Sequence, residues 1–129
     1  MKGSERQLLI VDLCGRVPYD TIVNTGGDNE VYLRSVDTFG YEVEVSDYKK
    51  ENVFDIEEVK PYLRPFSDMT DEEDKEFALL QVESAKSGFL YAANASNLVK
   101  FLYSHHIDFN GLIEKGLALE APEGMYKTV

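Results

Sequence analysis

Residues 54–73, FDIEEVKPYLRPFSDMTDEE, divide the chain into two kinds of sequence. Upstream, apolar and polar residues alternate as in a sheet; downstream, apolar residues recur at helical spacing. Within the stretch, Asp55-Ile56-Glu57-Glu58 has the length of one helical turn. Pro61 and Pro65 have no N–H, and each biases its predecessor, Lys60 or Arg64, toward extended backbone. Residues 59–64 are therefore predicted as an extended segment at a sheet edge, where the missing donors do least harm. A helix then starts at Ser67 or Thr70. Thr70-Asp71-Glu72-Glu73 matches a capping box, and the acids at 71–74 fall where the helix dipole favours negative charge. This acidic run reads as a solvated, well-capped helix start.

Working toward the N-terminus, Tyr41-Glu42-Val43-Glu44-Val45 alternates without a fault. Its apolar set faces one way and its acids the other, which implies an antiparallel sheet with one wet face. Two more strands are predicted at 21–25 and 31–36. They are joined by a hairpin loop, Asn24-Thr25-Gly26-Gly27-Asp28-Asn29, and followed by a tight turn at Asp37-Thr38-Phe39-Gly40, in which Gly40 is free to take a left-handed conformation. Residues 46–52 read as a polar connection. Short strands in this order, with a helical turn before the last, look like an SH3-like barrel, a likeness of fold that carries no function. Ahead of the strands, Ser4-Glu5-Arg6-Gln7 is a second capping-box match, and Ile10, Leu13, Cys14 and Val17 form an apolar helical stripe ended by Gly15 and Pro18.

Toward the C-terminus, Phe77, Leu80 and Ser84 continue one helical stripe, with Ala78 and Val82 beside it, until Ser87-Gly88 interrupts it. A third helix is capped by Asn94 or Ser96, shows Leu98, Phe101 and Leu102 on its apolar face, and ends at His105-His106, where the dipole favours a cationic imidazole. Residues 110–115 form one more turn, closed by Gly116. The block 107–126 then holds Ile107, Phe109, Leu112, Ile113, Leu117, Leu119, Met125 and Tyr126. Apolar side chains at that density are expected to fold back over the rest of the core, the alternative being that part of the block forms a self-association or partner surface.

Composition narrows the function. The 129 residues are read as a single domain, 1–129, with a helix and small sheet over 1–66 and a helical part over 67–129. The chain carries 13 basic and 24 acidic residues, a formal charge of −11, which opposes binding to phosphate backbones. One cysteine, Cys14, allows neither an intramolecular disulfide nor a multi-cysteine zinc site, and its place on the apolar stripe reads as a buried, inert thiol. The longest apolar run, 8–11, is far too short for a bilayer, and the N-terminus does not resemble a secretory signal, so a cytoplasmic location is expected.

Few residues suggest chemistry. His105, His106 and Asp108 are the one cluster that resembles a metal or acid–base site. Adjacent histidines on a helix diverge by about 100°, and no HExxH or second His pair accompanies them. Helix-end packing is the expected role. Asp12 and Arg16, four apart, read as a surface ion pair. The two loop glycines lack a following GK[ST], and no serine sits in G-x-S-x-G. With 24 acids, carboxylates paired only in space are left open. No catalytic residue, cofactor or metal ligand is assigned.

Three blocks carry a resemblance: LLIVDLCGRVPYDTIV at 8–23, DIEEVKPYLRPFSDMTDEE at 55–73 and HHIDFNGLIEKGLALEAPEGMYK at 105–127. They resemble, in the same order, an uncharacterised family of short proteins from Bacteroides-type bacteria and their phages and mobile elements. The resemblance implies a cytoplasmic protein of prophage or conjugative-element origin, with a variable insert around 83–97, and implies no catalytic residue or ligand. The reading is therefore α+β: an N-terminal helix, a small antiparallel barrel-like sheet and C-terminal helices. Its expected function is a non-catalytic interaction or accessory role, through a protein partner or self-association. The alternatives are a nucleic-acid-associated small barrel using Lys60, Arg64 and Arg34, and an acidic inhibitor that imitates DNA.

Overall fold

The computed structural model describes residues 1–27, 30–47, 51–85 and 91–126, with the backbone alone for 91–93. Helix α1 (Gly3–Arg16) begins earlier than the Ser4 capping box suggests: Lys2 is the cap, and its N–H donates to Glu5 Oε1 at 3.2 Å. Its buried face is Leu9, Asp12, Leu13 and Arg16, with Ile10 beside them. That face is rotated from the expected stripe, so Cys14 is exposed and Val17 half-buried. Gly15 lies within the helix, where a Cβ would overlap the ring of Tyr103; the helix ends a residue later, and Pro18 enters a 3₁₀ turn (Val17–Tyr19) closed by left-handed Asp20.

The sheet runs β4-β3-β2-β1-β5-β6. Strands β1 (Ile22–Asn24), β2 (Glu30–Asp37), β3 (Glu42–Ser46) and β4 (Glu51–Asp55) form an antiparallel meander. A 3₁₀ turn (Ile56–Glu58), capped by Asp55, leads to β5 (Lys60–Leu63), antiparallel to β1; β6 (Leu119–Glu120) adds in parallel to β5. The sheet is mixed and open, so the SH3-like barrel is not confirmed. Two further expectations change. The polar connection contains the start of β4. And β5 lies inside the sheet: Lys60 and Pro61 pair with β1, then Tyr62 and Leu63 with β6. Pro61 is tolerated there because its N position faces the β6 side, ahead of the first β6 pair, and takes no part in the β1 ladder.

Burial follows the pleat. Val43 and Val45 point inward, and Leu33 and Val36 share that face because β2 bulges between Leu33 and Ser35. At the turn into β3, Gly40 is not left-handed; Tyr41 is, with φ 54°. Gly40 is needed instead for close approach, since a Cβ would stand 2.9 Å from the Asp37 carboxylate that accepts the N–H groups of Phe39 and Gly40.

Helix α2 (Asp71–Ser84) has the expected capping box, Glu73 N–H to Thr70 Oγ1 at 3.1 Å and Thr70 N–H to Glu73 Oε1 at 2.9 Å. Phe77 and Leu80 face inward; Ala78 and Val82 are exposed. Helix α3 (Tyr91–Ser104) starts ahead of both predicted caps, and Asn94 donates to the Glu83 carbonyl of α2. The break at Ser87-Gly88 lies outside the described residues.

Two clusters make the core. Leu9 and Leu13 of α1 meet Val23, Leu33, Val43, Val45, Ile56, Val59 and Leu63, and the tail adds Leu112, Leu117 and Ala118. Met69, Phe101, Leu102 and Ile107 form the second, with Phe77, Leu80 and Phe109 against it. The tail folds back as expected. Among the described residues no helix is long and apolar enough to cross a membrane.

Candidate functional site

The segment 105–110 runs between α1 and β5, and two buried arginines hold it. Arg16 binds Asp12 bidentately, at 2.6 and 3.0 Å, with neither side chain exposed. Its Nη2 also donates to the Ile107 carbonyl at 2.8 Å, and Asn110 donates to Asp12 at 2.8 Å. The rings of Tyr103 and Phe109 lie 5.1 and 5.6 Å from the guanidinium. The expected surface ion pair is thus a buried anchor. A signal for it stands in the sequence: Leu9, Asp12, Leu13 and Arg16 are spaced i, i+3, i+4, i+7, so the pair shares its stripe with two core leucines.

Arg64 performs the same task from the other side. Its guanidinium meets both oxygens of Glu73, at 2.7 and 2.9 Å, and donates to the carbonyls of His105 and Asp68. Its backbone N–H reaches the His106 carbonyl, and its carbonyl accepts from Asp108. Glu73 is 5% exposed, the exception in an otherwise solvated acidic turn. Hydrogen bonding to Arg64 lowers its pKa to about 2 against the cost of burial, helped by the Thr70 N–H.

The His–His–Asp cluster separates. His105 Nδ1 lies 2.7 Å from Glu73 Oε2. Asp108 accepts from the N–H groups of Leu112 and Ile113, capping the turn that left-handed Gly116 closes. His106, with φ 61°, stacks on Tyr126 at 3.7 Å. It is not a cationic helix end: burial first, then Arg16 and Arg64, lower its pKa to about 4. The Tyr126 hydroxyl accepts from Ile22 N–H at 2.9 Å and donates to the Tyr62 carbonyl at 2.8 Å, and burial raises its pKa well above the ordinary phenol.

These groups join three parts of the chain. A cleft of about 810 Å³ opens beside them, lined by Arg64, Asp68, Thr70, Glu120, Glu123 and Tyr126 among others. Arg64 turns its charge to Glu73 rather than to the cleft, whose rim is acidic.

Of the cations proposed for nucleic acid, Arg64 is buried, Arg34 donates to Ser46 and Asp20, and Lys60 is exposed on β5. The acids, in contrast, gather. Asp37, Glu42 and Asp55 stand opposite one another across β2, β3 and β4, and Glu44 and Ser46 stand opposite Val53 and Glu51. Beside this row are a nearly fully exposed Phe39 (97%) at the turn tip and Val53 (57%) on β4. Comparison with known proteins adds no relative: no family model, curated protein or solved structure matches this chain.

Proposed function

We propose that this chain is a non-catalytic interaction or accessory protein that meets a partner at the β2–β4 end of its sheet. The observation that carries the reading is Phe39, 97% exposed on a turn whose geometry is set by Asp37 and Gly40. Burial of one Phe side chain is worth about 1.5–3 kcal/mol, and the fold leaves this one uncovered, where a partner surface would gain it. The internal ionic groups support the same reading, since Arg16, Arg64, Glu73 and His106 are engaged in holding the tail. The SH3-like likeness belongs to this proposal as well: a meander, a 3₁₀ turn and a fifth strand beside β1 favour it. So do a cytoplasmic location and an origin in a phage or mobile element, on the strength of the three sequence blocks. The carboxylate row across β2–β4 favours a second reading, an acidic inhibitor of a nucleic-acid-binding protein; competition by DNA for the captured partner distinguishes it.

The test compares the tagged chain with Phe39→Ser in affinity purification from the source cells. A near-stoichiometric protein retained by the native chain and lost by the variant, at unchanged melting temperature, is expected. Equal recovery by both chains, or no recovered protein, overturns the proposal.

A further inference from the structure

We infer that the outer edge of β4 accepts a basic, extended segment of a partner protein as an additional strand. This rests on the interaction reading and names the chemistry of the partner. Strand β4 pairs with β3 on one side; among the described residues no strand lies on the other. Such an edge presents unpaired N–H and C=O groups, a template for strand addition. Proteins blunt edges with charged side chains, lysine above all, with proline or with a bulge. Strand β4, Glu51-Asn52-Val53-Phe54-Asp55, has no lysine, proline or bulge, and its register with β3 is continuous. Its two charges are both acidic, so they repel like-charged strands and leave the edge open to a basic one.

The side chains choose the occupant. Glu51, Val53 and Asp55 share the wet face; Phe54 lies on the other, in a row with Val43 and Val36 at the margin of the core. A second copy of the chain is a poor fit. Antiparallel pairing centred on Val53 sets Glu51 against Asp55, in-register parallel pairing sets each acid beside its own copy, and like charges opposite one another are destabilising. Net charge of −11 adds repulsion. A segment with Lys or Arg opposite Asp55 and Glu51, and an apolar residue opposite Val53, reverses those signs. It also offers an apolar side chain to Phe54. Glu42 and Asp37, next in the Asp55 row, extend the negative field that draws it in.

The experiment uses the full chain and a fluorescein-labelled peptide, Thr-Lys-Ile-Val-Thr-Lys-Thr, read by anisotropy. Saturable binding that weakens as salt is raised is expected, with at least about tenfold loss for the double variant Glu51→Lys, Val53→Lys. Both positions are exposed, and a melting curve verifies that the variant stays folded. A peptide with Pro for the central Val, which has no N–H to pair, is expected not to bind. Absence of saturable binding up to about 1 mM, equal affinity for native and double variant, or undiminished binding of the Pro peptide overturns the inference. If the peptide fails while Phe39-dependent capture persists, the edge is rejected and the interaction role stands.

Discussion

Protonation of His106 is disfavoured by the fold. Its folded pKa is about 4 against an ordinary 6.5, so the unfolded chain binds its proton more readily. Stability from this group is complete above pH 6.5 and is lost as pH falls toward 4, about 2 kcal/mol of it by pH 5. His106→Asn, which tolerates the left-handed backbone, is expected to flatten the dependence of melting temperature on pH between 7 and 5; an unchanged slope contradicts this. Glu73 acts lower on the scale. Its depressed pKa contributes stability above about 4.5 that is lost as pH falls toward 2, on the order of 3 kcal/mol. At Asp12 the test is truncation. Asp12→Ala strands a fully buried Arg16 and is expected to cost about 3–5 kcal/mol in denaturant unfolding. Asp12→Leu with Arg16→Met removes the stranded charge but leaves the Ile107 carbonyl and the Asn110 amide without these partners, at an expected cost of about 1–3 kcal/mol; a loss equal to that of Asp12→Ala contradicts this. The sequence displays Asp12 and Arg16 at helical spacing; their depth depends on the tail that covers them.

Among the elements, β5 shows how a local rule survives in a changed setting. Pro61 stands opposite Val23 in a pair that makes no backbone hydrogen bond, so its missing N–H costs the β1 ladder nothing; it faces the β6 side, one residue ahead of the first β6 pair at Tyr62. Continuing the β1–β5 register sets Ile22 opposite Tyr62, and there the Tyr126 hydroxyl stands between the two backbones. Tyr126→Phe leaves an N–H and a carbonyl without their bridge, at an expected cost of about 1–3 kcal/mol. Faster amide exchange at Ile22 checks it; unaltered exchange and stability count against the bridge. Where local physics is strong, the element is legible: the Thr70 capping box and the alternation of 41–45 need no distant partner. Strand β4 is not legible, because Val53 and Phe54 are adjacent and the five residues gain their regularity from β3.

For the whole molecule, the decisive element is the tail. Ile107, Leu112, Leu117, Ala118 and Ala121 are buried, and both arginine networks close on 105–110. Truncation after His106 is expected to leave an unfolded or insoluble chain, since Ile107, Leu112 and Leu117 at about 1.5–3 kcal/mol each already rival a total stability of about 5–15 kcal/mol. A truncated monomer with an unchanged melting midpoint refutes it. By itself the sequence determined the class, α+β with a helix before the strands and helices after, and the return of the tail. Periodicity, capping and apolar density are local quantities, and they reside in neighbouring residues. Tertiary structure alone decided that the sheet stays open, that Cys14 faces out while Asp12 and Arg16 face in, and that the two histidines part. Each of those outcomes depends on contacts between segments far apart in the chain, and which face of a helix is covered, or which charge is paired, is a property of what arrives to cover it.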